Sequence, residues 1–318
     1  MSLYLVSILL IIASICYIKI AEHFNIVDKP NHRSSHTKST IRGGGILFFI
    51  ALLLYYFFSG LNETYFVIGT SIIGLLSFVD DIHPLSPALR FPVQILAVAL
   101  CLVQINFDLP IFIIFFLGIA GVAFINAFNF MDGINAITGF YSIVIIAGFL
   151  YYDAFIVDFI NEKLLYYTLI ALAVFGFYNF RKKAKFFAGD IGSITLAMVI
   201  LYTAFMFYKT TQSPLVLLFL AVYGVDTLMT IFVRKRLKEK LSEAHRHHLY
   251  QKLVDNVKYS HMKVAAIYAI IQAVLICITI TLYSLPIYSQ WIVTVVILLL
   301  FVILYFLISA KTGNKNEI

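Results

Sequence analysis

Two adjacent carboxylates, Asp80 and Asp81, stand where a long apolar run ends. If that run is a helix, its C-terminal end carries a partial negative charge that disfavours acidic side chains. The pair therefore predicts a cation close by. Two solvated acids in a loop are the plainer alternative.

A second polar group lies in the stretch N-A-F-N-F-M-D-G, residues 126–133. Asn126 and Asn129 are three residues apart and would share one face of a helix that ends here. Asp132 follows at a position where it could cap the next helix. An N-cap with turn residues would explain Asp132 alone, but two amides directed at the same corner favour a binding site.

Asp190 lies in a third stretch, F-A-G-D-I-G-S at residues 187–193, which follows the basic run Arg181 to Lys185. Capping of a helix by Asp190 is one interpretation. A helix N-terminus beside a basic run is also a ready anion site, and the two flanking glycines would let the backbone come close to a ligand. The stretch therefore indicates an anion-binding corner with a carboxylate at its edge.

The sequence H-R-H-H at residues 245–248 places three imidazoles and one guanidinium side by side. Zinc is disfavoured, because neither a Cys nor an H-x-x-x-H spacing accompanies the histidines. Such donors bind phosphate oxygens through charge-assisted hydrogen bonds. The surrounding segment reads as an amphipathic helix at the membrane interface, which would put His245 and His248 on one face.

The segment from Asp28 to Gly45 combines several cations with a run of three glycines. Glycines that enter a span often mark close helix packing. With His36 and Arg42 ahead of them, the segment also predicts an electropositive pocket wall.

A single carboxylate, Asp226, lies about two turns inside a later apolar run. An ionisable side chain at that depth indicates a functional role or a charged partner. Arg234, two turns further along, is the partner that the sequence offers.

The elements that must position these groups are membrane helices. Of the 318 residues, 62% are hydrophobic and only 12% are charged, whereas a soluble domain has roughly 25% charged residues. Because a spanning helix needs about 20 apolar residues, the sequence predicts an all-α integral membrane protein with about eleven transmembrane helices in one polytopic domain, residues 1–318. The predicted spans are 2–21, 44–59, 65–79, 89–105, 109–128, 134–152, 163–180, 191–208, 213–232, 261–283 and 287–309.

Lys and Arg residues are divided very unequally between the two sides of these spans. One side carries 21 of the 23, and the other carries only Lys163 and Lys209. The basic side is predicted to be cytoplasmic, with the N-terminus outside and the C-terminus inside. Anchoring to anionic lipid accounts for part of this charge. The polar stretches then fall in cytoplasmic loops, at residues 22–43, 80–88, 126–133, 181–190 and 233–260.

Taken together and in this order, the five stretches resemble the polyprenyl-phosphate N-acetylhexosamine-1-phosphate transferases, which belong to glycosyl transferase family 4 and are related to phospho-MurNAc-pentapeptide translocase and to undecaprenyl-phosphate GlcNAc-1-phosphate transferases. The similarity runs from about Asp28 to Gln251 and rests on D-K-P-N-H-R-S-S-H with R-G-G-G, the Asp80-Asp81 pair, N-A-F-N-F-M-D-G, F-A-G-D-I-G-S and H-R-H-H-L-Y-Q.

The resemblance implies a magnesium-dependent phosphoglycosyl transferase of the bacterial inner membrane, with Mn²⁺ as an alternative metal. Such an enzyme moves an N-acetylhexosamine-1-phosphate from a UDP-sugar, most simply one like UDP-GlcNAc, to undecaprenyl phosphate. The reaction releases UMP and starts a cell-envelope glycan such as O-antigen or capsule. The implied partners are the UDP-sugar, undecaprenyl phosphate and the lipid bilayer, without nucleic acid, and a homodimer is left open.

The resemblance also implies roles for individual residues. The catalytic residues would be Asp80, Asp81, Asp132, His247 and His248. The substrate-binding residues would be Asn126, Asn129, Asn179, Phe187, His36, Arg42, His245 and Arg246, with Phe187 stacked on the uracil. The metal ligands would be Asp190 and Asp81.

Two other classes of protein share some of these features. A transporter or lipid flippase would carry polar residues near the bilayer midplane and internal repeats, but only Asp226 lies at such a depth and no clear repeat is present. An integral membrane phosphatase would share the phosphate pocket. Within the transferase class, a two-step route through an aspartyl-phosphate is the minor alternative to direct transfer.

Overall fold

The computed structural model describes residues 1–28, 39–240 and 245–312. In these ranges the chain forms helices and one short antiparallel ribbon, in which Val27 pairs with Ile41 and Asp28 with Thr40. The elements in chain order are α1 (Leu3–His23), β1 (Val27–Asp28), β2 (Thr40–Ile41), α2 (Ile46–Phe58), α3 (Thr64–Ile82), α4 (Pro87–Ile105), α5 (Ile111–Phe130), α6 (Ile137–Phe155), α7 (Glu162–Asn179), α8 (Gly189–Thr211), α9 (Val216–Phe219), α10 (Ala221–Arg236), α11 (Leu249–Asp255), α12 (His261–Leu282) and α13 (Ile287–Thr312).

The helices agree with the all-α membrane class that the apolar runs predict. Eight of those described are long and apolar enough to cross a membrane, namely α1, α3, α4, α5, α6, α8, α12 and α13. The second predicted span corresponds to α2, which is apolar but has only 13 residues. The ninth is not one helix, because the chain breaks at Leu220 between α9 and α10. Eleven crossings and the orientation of the termini stay predictions.

Helix α8 lies at the centre of the bundle. It packs against α2, α3, α4, α5 and α6, and 16 of its 23 residues are buried. A helix can be buried on all sides only if it is apolar all round, and no charged residue occurs in α8 between Asp190 and Lys209. The two ends of α8 are therefore the only places where it carries charge, and Asp190 is at one of them.

The start of α2 crosses the start of α8 at very short range. The N–H of Gly45 donates to the carbonyl oxygen of Ala188 at 2.9 Å. A Cβ on Gly45 would lie 2.1 Å from the Cα of Gly192, and one on Gly192 would lie 2.7 Å from the Cα of Gly45. The glycines that precede the second span thus serve close packing, and they bring the loop that carries Arg42 onto the N-terminus of α8.

We expect Gly192→Ala to destabilise the protein, because its new methyl group would meet backbone that cannot move aside. Overpacking of this kind costs about 1–3 kcal/mol. Gly224→Ala in α10 is the matched control, since nothing lies within 4 Å of a Cβ at that position. Thermal unfolding of the purified protein in detergent would measure both, and equal melting temperatures for the two variants would contradict the close crossing.

Candidate active site

The N-terminus of α8 is capped by a carboxylate from another helix. The N-cap residue Ala188 supplies no side-chain acceptor. Instead, the N–H of Asp190 donates to Asp81 Oδ1 at 2.8 Å, and the N–H of Ile191 donates to Asp81 Oδ2 at 3.2 Å. A carboxylate there satisfies N–H groups that lack partners within the helix and interacts favourably with its dipole. Asp190 is the second residue of α8 and does not cap it, so that interpretation of Asp190 is wrong.

Two arginines connect Asp81 to two further carboxylates. Arg42 Nε lies 2.7 Å from Asp81 Oδ1, and Arg42 Nη2 lies 3.5 Å from Asp190 Oδ1. Arg90 Nη1 lies 2.8 Å from Asp80 Oδ2 and 3.9 Å from Asp190 Oδ2. Three acids and two cations from four segments of the chain therefore form one connected group, which we call the carboxylate–arginine cluster.

The cluster borders a polar cavity of about 460 Å³. Asp81 is not among the lining residues, and its side chain has no exposed surface. The Asp190 side chain is 23% exposed and lines the cavity. The polar lining residues are Ser77, Asp80, Arg90, Gln94, Asn126, Asn129, Asp190, His245, His248 and Gln251.

The two amides of α5 reach this cavity, as the three-residue spacing predicts. Asn129 donates to Ser193 Oγ at 2.8 Å, beside Asp190. Asn126 forms a reciprocal pair with Gln94 of α4, with hydrogen bonds of 2.9 Å and 3.1 Å, and also donates to the carbonyl oxygen of Val122. Gln94 was not singled out by sequence reasoning, because one amide in an apolar helix carries no pattern.

Asp132 lies behind the cavity rather than on its wall. It does not cap α6, whose N-cap is Ala136 in the left-handed region with φ 68°. Asp132 Oδ1 instead accepts from Thr138 Oγ1 at 2.6 Å. Burial raises the pKa of Asp132 to about 6, with Asp190 acting in the same direction against the hydrogen bond from Thr138. The capping prediction for Asp132 is therefore wrong, and its catalytic role stays a prediction.

The side chain of Asn179 forms hydrogen bonds with the backbone of two neighbouring segments. Its Oδ1 accepts from the N–H of Ala136 at 2.8 Å, and its Nδ2 donates to the carbonyl oxygen of Phe186 at 3.0 Å. It thereby holds the loop before α6 against the segment before α8. Phe187 is half-buried in that same segment, and its carbonyl oxygen accepts from Gly44 at 2.8 Å. The stacking of Phe187 on uracil stays a prediction, and His36 lies outside the described residues.

The histidine segment differs from the expected amphipathic helix. Within the part of it that the structure describes, α11 begins only at Leu249, so His245 and His248 are not brought together by helical spacing. His247 Nε2 lies 2.9 Å from Glu239 Oε1. Arg246 points along its own segment and pairs with Asp255 through two contacts of 2.9 Å and 3.0 Å. Neither His247 nor Arg246 lines the polar cavity.

His245 and His248 do reach the cavity, with ring centroids 5.1 Å apart. Burial, followed by the positive charges around it, lowers the pKa of His245 to about 4. At neutral pH that ring is uncharged, so it can offer an ordinary hydrogen bond to a ligand but no charge. His248 is only 2% exposed and belongs to a buried network with Asp226.

One carboxylate at the cavity, that of Asp190, is suited to bind a divalent cation. No three His, Cys, Asp or Glu side chains converge on a metal-sized point in the described ranges. Magnesium does not require that, because it usually keeps several waters and binds one or two carboxylates together with substrate phosphates. Asp190 fits such a role, since it lines the cavity and its nearest cation is 3.5 Å away. The side chain of Asp81 is enclosed and accepts from Arg42 and from the backbone of α8, and its assignment as a metal ligand stays a prediction.

These features define a mostly helical membrane protein with acids, arginines and amides gathered at one polar cavity. The sequence comparisons are more specific. A family model described as glycosyl transferase family 4 matches residues 63–208, a region that includes the Asp80–Asp81 pair, Arg90, both amides of α5 and Asp190. Over these residues the chain is similar to glycosyl transferase family 4. A probable undecaprenyl-phosphate N-acetylglucosaminyl 1-phosphate transferase of Bacillus subtilis (strain 168) is 26% identical over 297 residues, covering 84% of this chain and 80% of the relative.

The different surroundings of Asp81 and Asp190 predict different effects of their substitution on stability. We expect Asp81→Asn to lower the free energy of unfolding by about 1–3 kcal/mol, because it removes the charge of an enclosed carboxylate that accepts from Arg42 and from two N–H groups of α8. Asp190→Asn is the matched control, since the same chemical change falls on a partly exposed group with longer contacts. Thermal unfolding of both variants tests the assignment, and a melting temperature for Asp81→Asn at or above that of Asp190→Asn would refute it.

Proposed function

We propose that this protein transfers an N-acetylhexosamine-1-phosphate, with UDP-GlcNAc as the most suitable donor, to undecaprenyl phosphate and releases UMP. The match to the family model supports a transferase, and the name of the Bacillus relative supports the donor and acceptor. We further propose that the site faces the cytoplasm of a bacterial inner membrane and serves an envelope glycan such as O-antigen or capsule, as the distribution of Lys and Arg and the resemblance suggest.

The single observation that carries the proposal is the junction of two unlike cavities. An apolar groove of about 850 Å³ runs between α4 and α5. Its walls include exposed residues such as Ile95, Val103 and Phe115, so it is open to the surroundings of the helices. The groove and the polar cavity share Phe91 and Asn126. An amphiphile with a long hydrocarbon chain and a phosphate head fits this pair of spaces.

The chemistry follows from the charges at the polar end. An oxygen of the lipid phosphate attacks the sugar-bearing phosphorus of the donor, a new P–O bond forms, and the bond to the UMP phosphate breaks. Catalysis of phosphoryl transfer consists mostly of positioning and charge stabilisation. Arg90, whose side chain is 39% exposed, lines the cavity and can contact a phosphate oxygen while it still touches Asp80.

Asp80 orients groups in this proposal and does not act as a base. Its Oδ2 is 2.8 Å from Arg90, and its Oδ1 accepts from the N–H of Leu85 at 2.5 Å. The acceptor needs no base, because a phosphomonoester with a second pKa near 6 is mostly ionised at neutral pH. Direct transfer is favoured over an aspartyl-phosphate route, because both oxygens of Asp80 already accept hydrogen bonds.

We propose Mg²⁺, with Mn²⁺ as a substitute, as the metal at Asp190. When bound, it would neutralise negative charge on the donor phosphates. Arg42 and Asn129 then hold the Asp190 side chain in place from two sides.

Release of UMP from purified protein tests the function directly. We expect UMP only when a UDP-sugar and undecaprenyl phosphate are both present, and a panel of UDP-sugars would identify the donor. Asp190→Asn should reduce turnover at least 100-fold, about 2.7 kcal/mol of barrier at 1.36 kcal/mol per factor of ten, most visibly at limiting magnesium. Asp108→Asn, at an exposed loop acid, is the control for the loss of one carboxylate.

Each other class predicts a different result in that assay. A phosphatase would release phosphate from the lipid without any UDP-sugar. A flippase would move lipid between leaflets and release no UMP under any combination of substrates. Near wild-type turnover of Asp190→Asn at limiting magnesium would contradict the assignment of Asp190 as a metal ligand. It would not contradict the transferase activity.

Filling the apolar groove should weaken the lipid acceptor alone. Gly118 lines the groove, and a Cβ there meets only Leu102 Cδ1 at 3.6 Å. We expect Gly118→Leu to raise the KM for undecaprenyl phosphate about 10-fold, equivalent to about 1.4 kcal/mol, with little change in the KM for the UDP-sugar. Ala120→Leu, exposed on the same helix and outside the groove, is the control. Equal effects of the two variants would show that the lipid binds elsewhere.

A further inference from the structure

A buried carboxylate on α10, that of Asp226, contacts two other parts of the fold, namely α12 and the start of α11. Tyr268 of α12 donates to Asp226 Oδ2 at 2.6 Å. The N–H of Leu249 donates to Oδ1 at 3.0 Å, and His248 Nδ1 lies 3.3 Å from the same oxygen. Asp226 itself is 2% exposed. The partner expected from the sequence, Arg234, instead forms an ion pair with Glu239 at 3.1 Å.

These contacts place the histidine segment rather than merely neutralise a buried charge. Leu249 is the first residue of α11, so its bond to Asp226 fixes where that helix begins. The residue just before it is His248, whose ring is held on its Nδ1 side by Asp226 and by Thr230 Oγ1, each at 3.3 Å. The His248 ring also lies against that of Tyr250, with centroids 5.6 Å apart. The orientation of one imidazole is thus determined from two helices.

The other ring nitrogen of His248, Nε2, has no such contact within the ranges that the structure describes. Among the described residues, His248 Nε2 is buried and has no hydrogen-bond partner. Buried polar atoms are seldom left unsatisfied, and such an atom in a native fold requires an explanation. The ring lines the polar cavity together with Asp190, Asn129 and Arg90, so a ligand in that cavity is the group that can satisfy Nε2.

We infer that Asp226 is a positioning residue that holds His248 with Nε2 available to a phosphate oxygen of the donor. The inference rests on the proposed function, since it takes the donor to be a nucleotide diphosphate. Phosphate oxygens accept hydrogen bonds, so the contact requires a hydrogen on Nε2, while Nδ1 lies on the side of Asp226 and Thr230.

A double-mutant cycle on UDP binding tests this coupling without requiring turnover. We expect His248→Ala and Asp226→Asn each to weaken the binding of UDP, measured by calorimetry on the full-length protein, by about 10- to 150-fold, the loss of one charge-assisted hydrogen bond. The double variant should bind UDP no more weakly than the weaker single variant, because Asp226 acts through His248. The kcat/KM for UMP release should follow the same pattern.

Tyr268→Phe is the matched control, because it removes a hydrogen bond to Asp226 and leaves His248 in contact with the carboxylate. We expect UDP binding within about threefold of the wild type for this variant, which is less than 1 kcal/mol. Circular dichroism and thermal unfolding of every variant check that each one folds. If a single variant fails to fold, Asp226→Glu and His248→Gln take its place in the cycle.

The outcomes separate the inference from the proposed function. Additive losses in the double variant, or unchanged UDP binding in Asp226→Asn beside a loss in His248→Ala, would overturn the coupling. A wild-type protein that does not bind UDP would overturn it as well. Non-additive UDP binding without UMP release from any tested donor would leave the coupling in place and remove the proposed reaction.

Discussion

The site depends on one buried carboxylate, Asp81, which serves two other segments of the chain at once. It accepts from the first N–H groups of α8, and it pairs with Arg42 at 2.7 Å. Gly189 makes this approach possible, because its φ is +72° and a Cβ there would lie 2.4 Å from Asp81 Oδ2. The end of α3, the loop before α2 and the start of α8 therefore meet at a single charge. Asp190 takes its position at the cavity as a consequence.

The two acids of the Asp80–Asp81 pair differ because of helical geometry. Neighbouring residues of a helix point about 100° apart, so one side chain of the pair turns towards α8 and the other towards the start of α4. Asp80 accordingly meets Arg90 and lines the cavity, whereas Asp81 is enclosed. Removal of a charge that is fully paired inside a protein affects folding first, while removal of one at a cavity wall affects the ligand first.

Much of this arrangement can be predicted from the sequence because it is local. The apolar runs define the helices, and every predicted span overlaps one, since lipid-soluble helices need long uninterrupted apolar segments. The three-residue spacing of Asn126 and Asn129 likewise places both amides at the cavity. Contacts between distant segments cannot be predicted in this way. Asp81 and Asp190 are 109 positions apart, and Asp81 caps α8 only because α3 packs on α8.

Residues without a local pattern were missed or assigned to the wrong partner. Arg90 reads as one more cytoplasmic cation, although it connects two acids of the site. The segment at 245–248 has helical periodicity in sequence, but Asp226 fixes the start of α11 at Leu249 and leaves the histidines before it in extended or irregular backbone. Tertiary hydrogen bonds to a buried charge outweigh the small propensity differences that favour a helix there.

The amide pair of Gln94 and Asn126 affects hydration at the junction of the polar cavity and the apolar groove. Each side chain donates to the other, and the second hydrogen of Asn126 is donated to the carbonyl oxygen of Val122. The two amides therefore satisfy each other at the point where the polar cavity adjoins the apolar groove. A water molecule needs two or more polar partners to be held in place, and this closed pair offers it few. The pairing therefore lowers the number of polar partners that water finds at the junction of the two spaces.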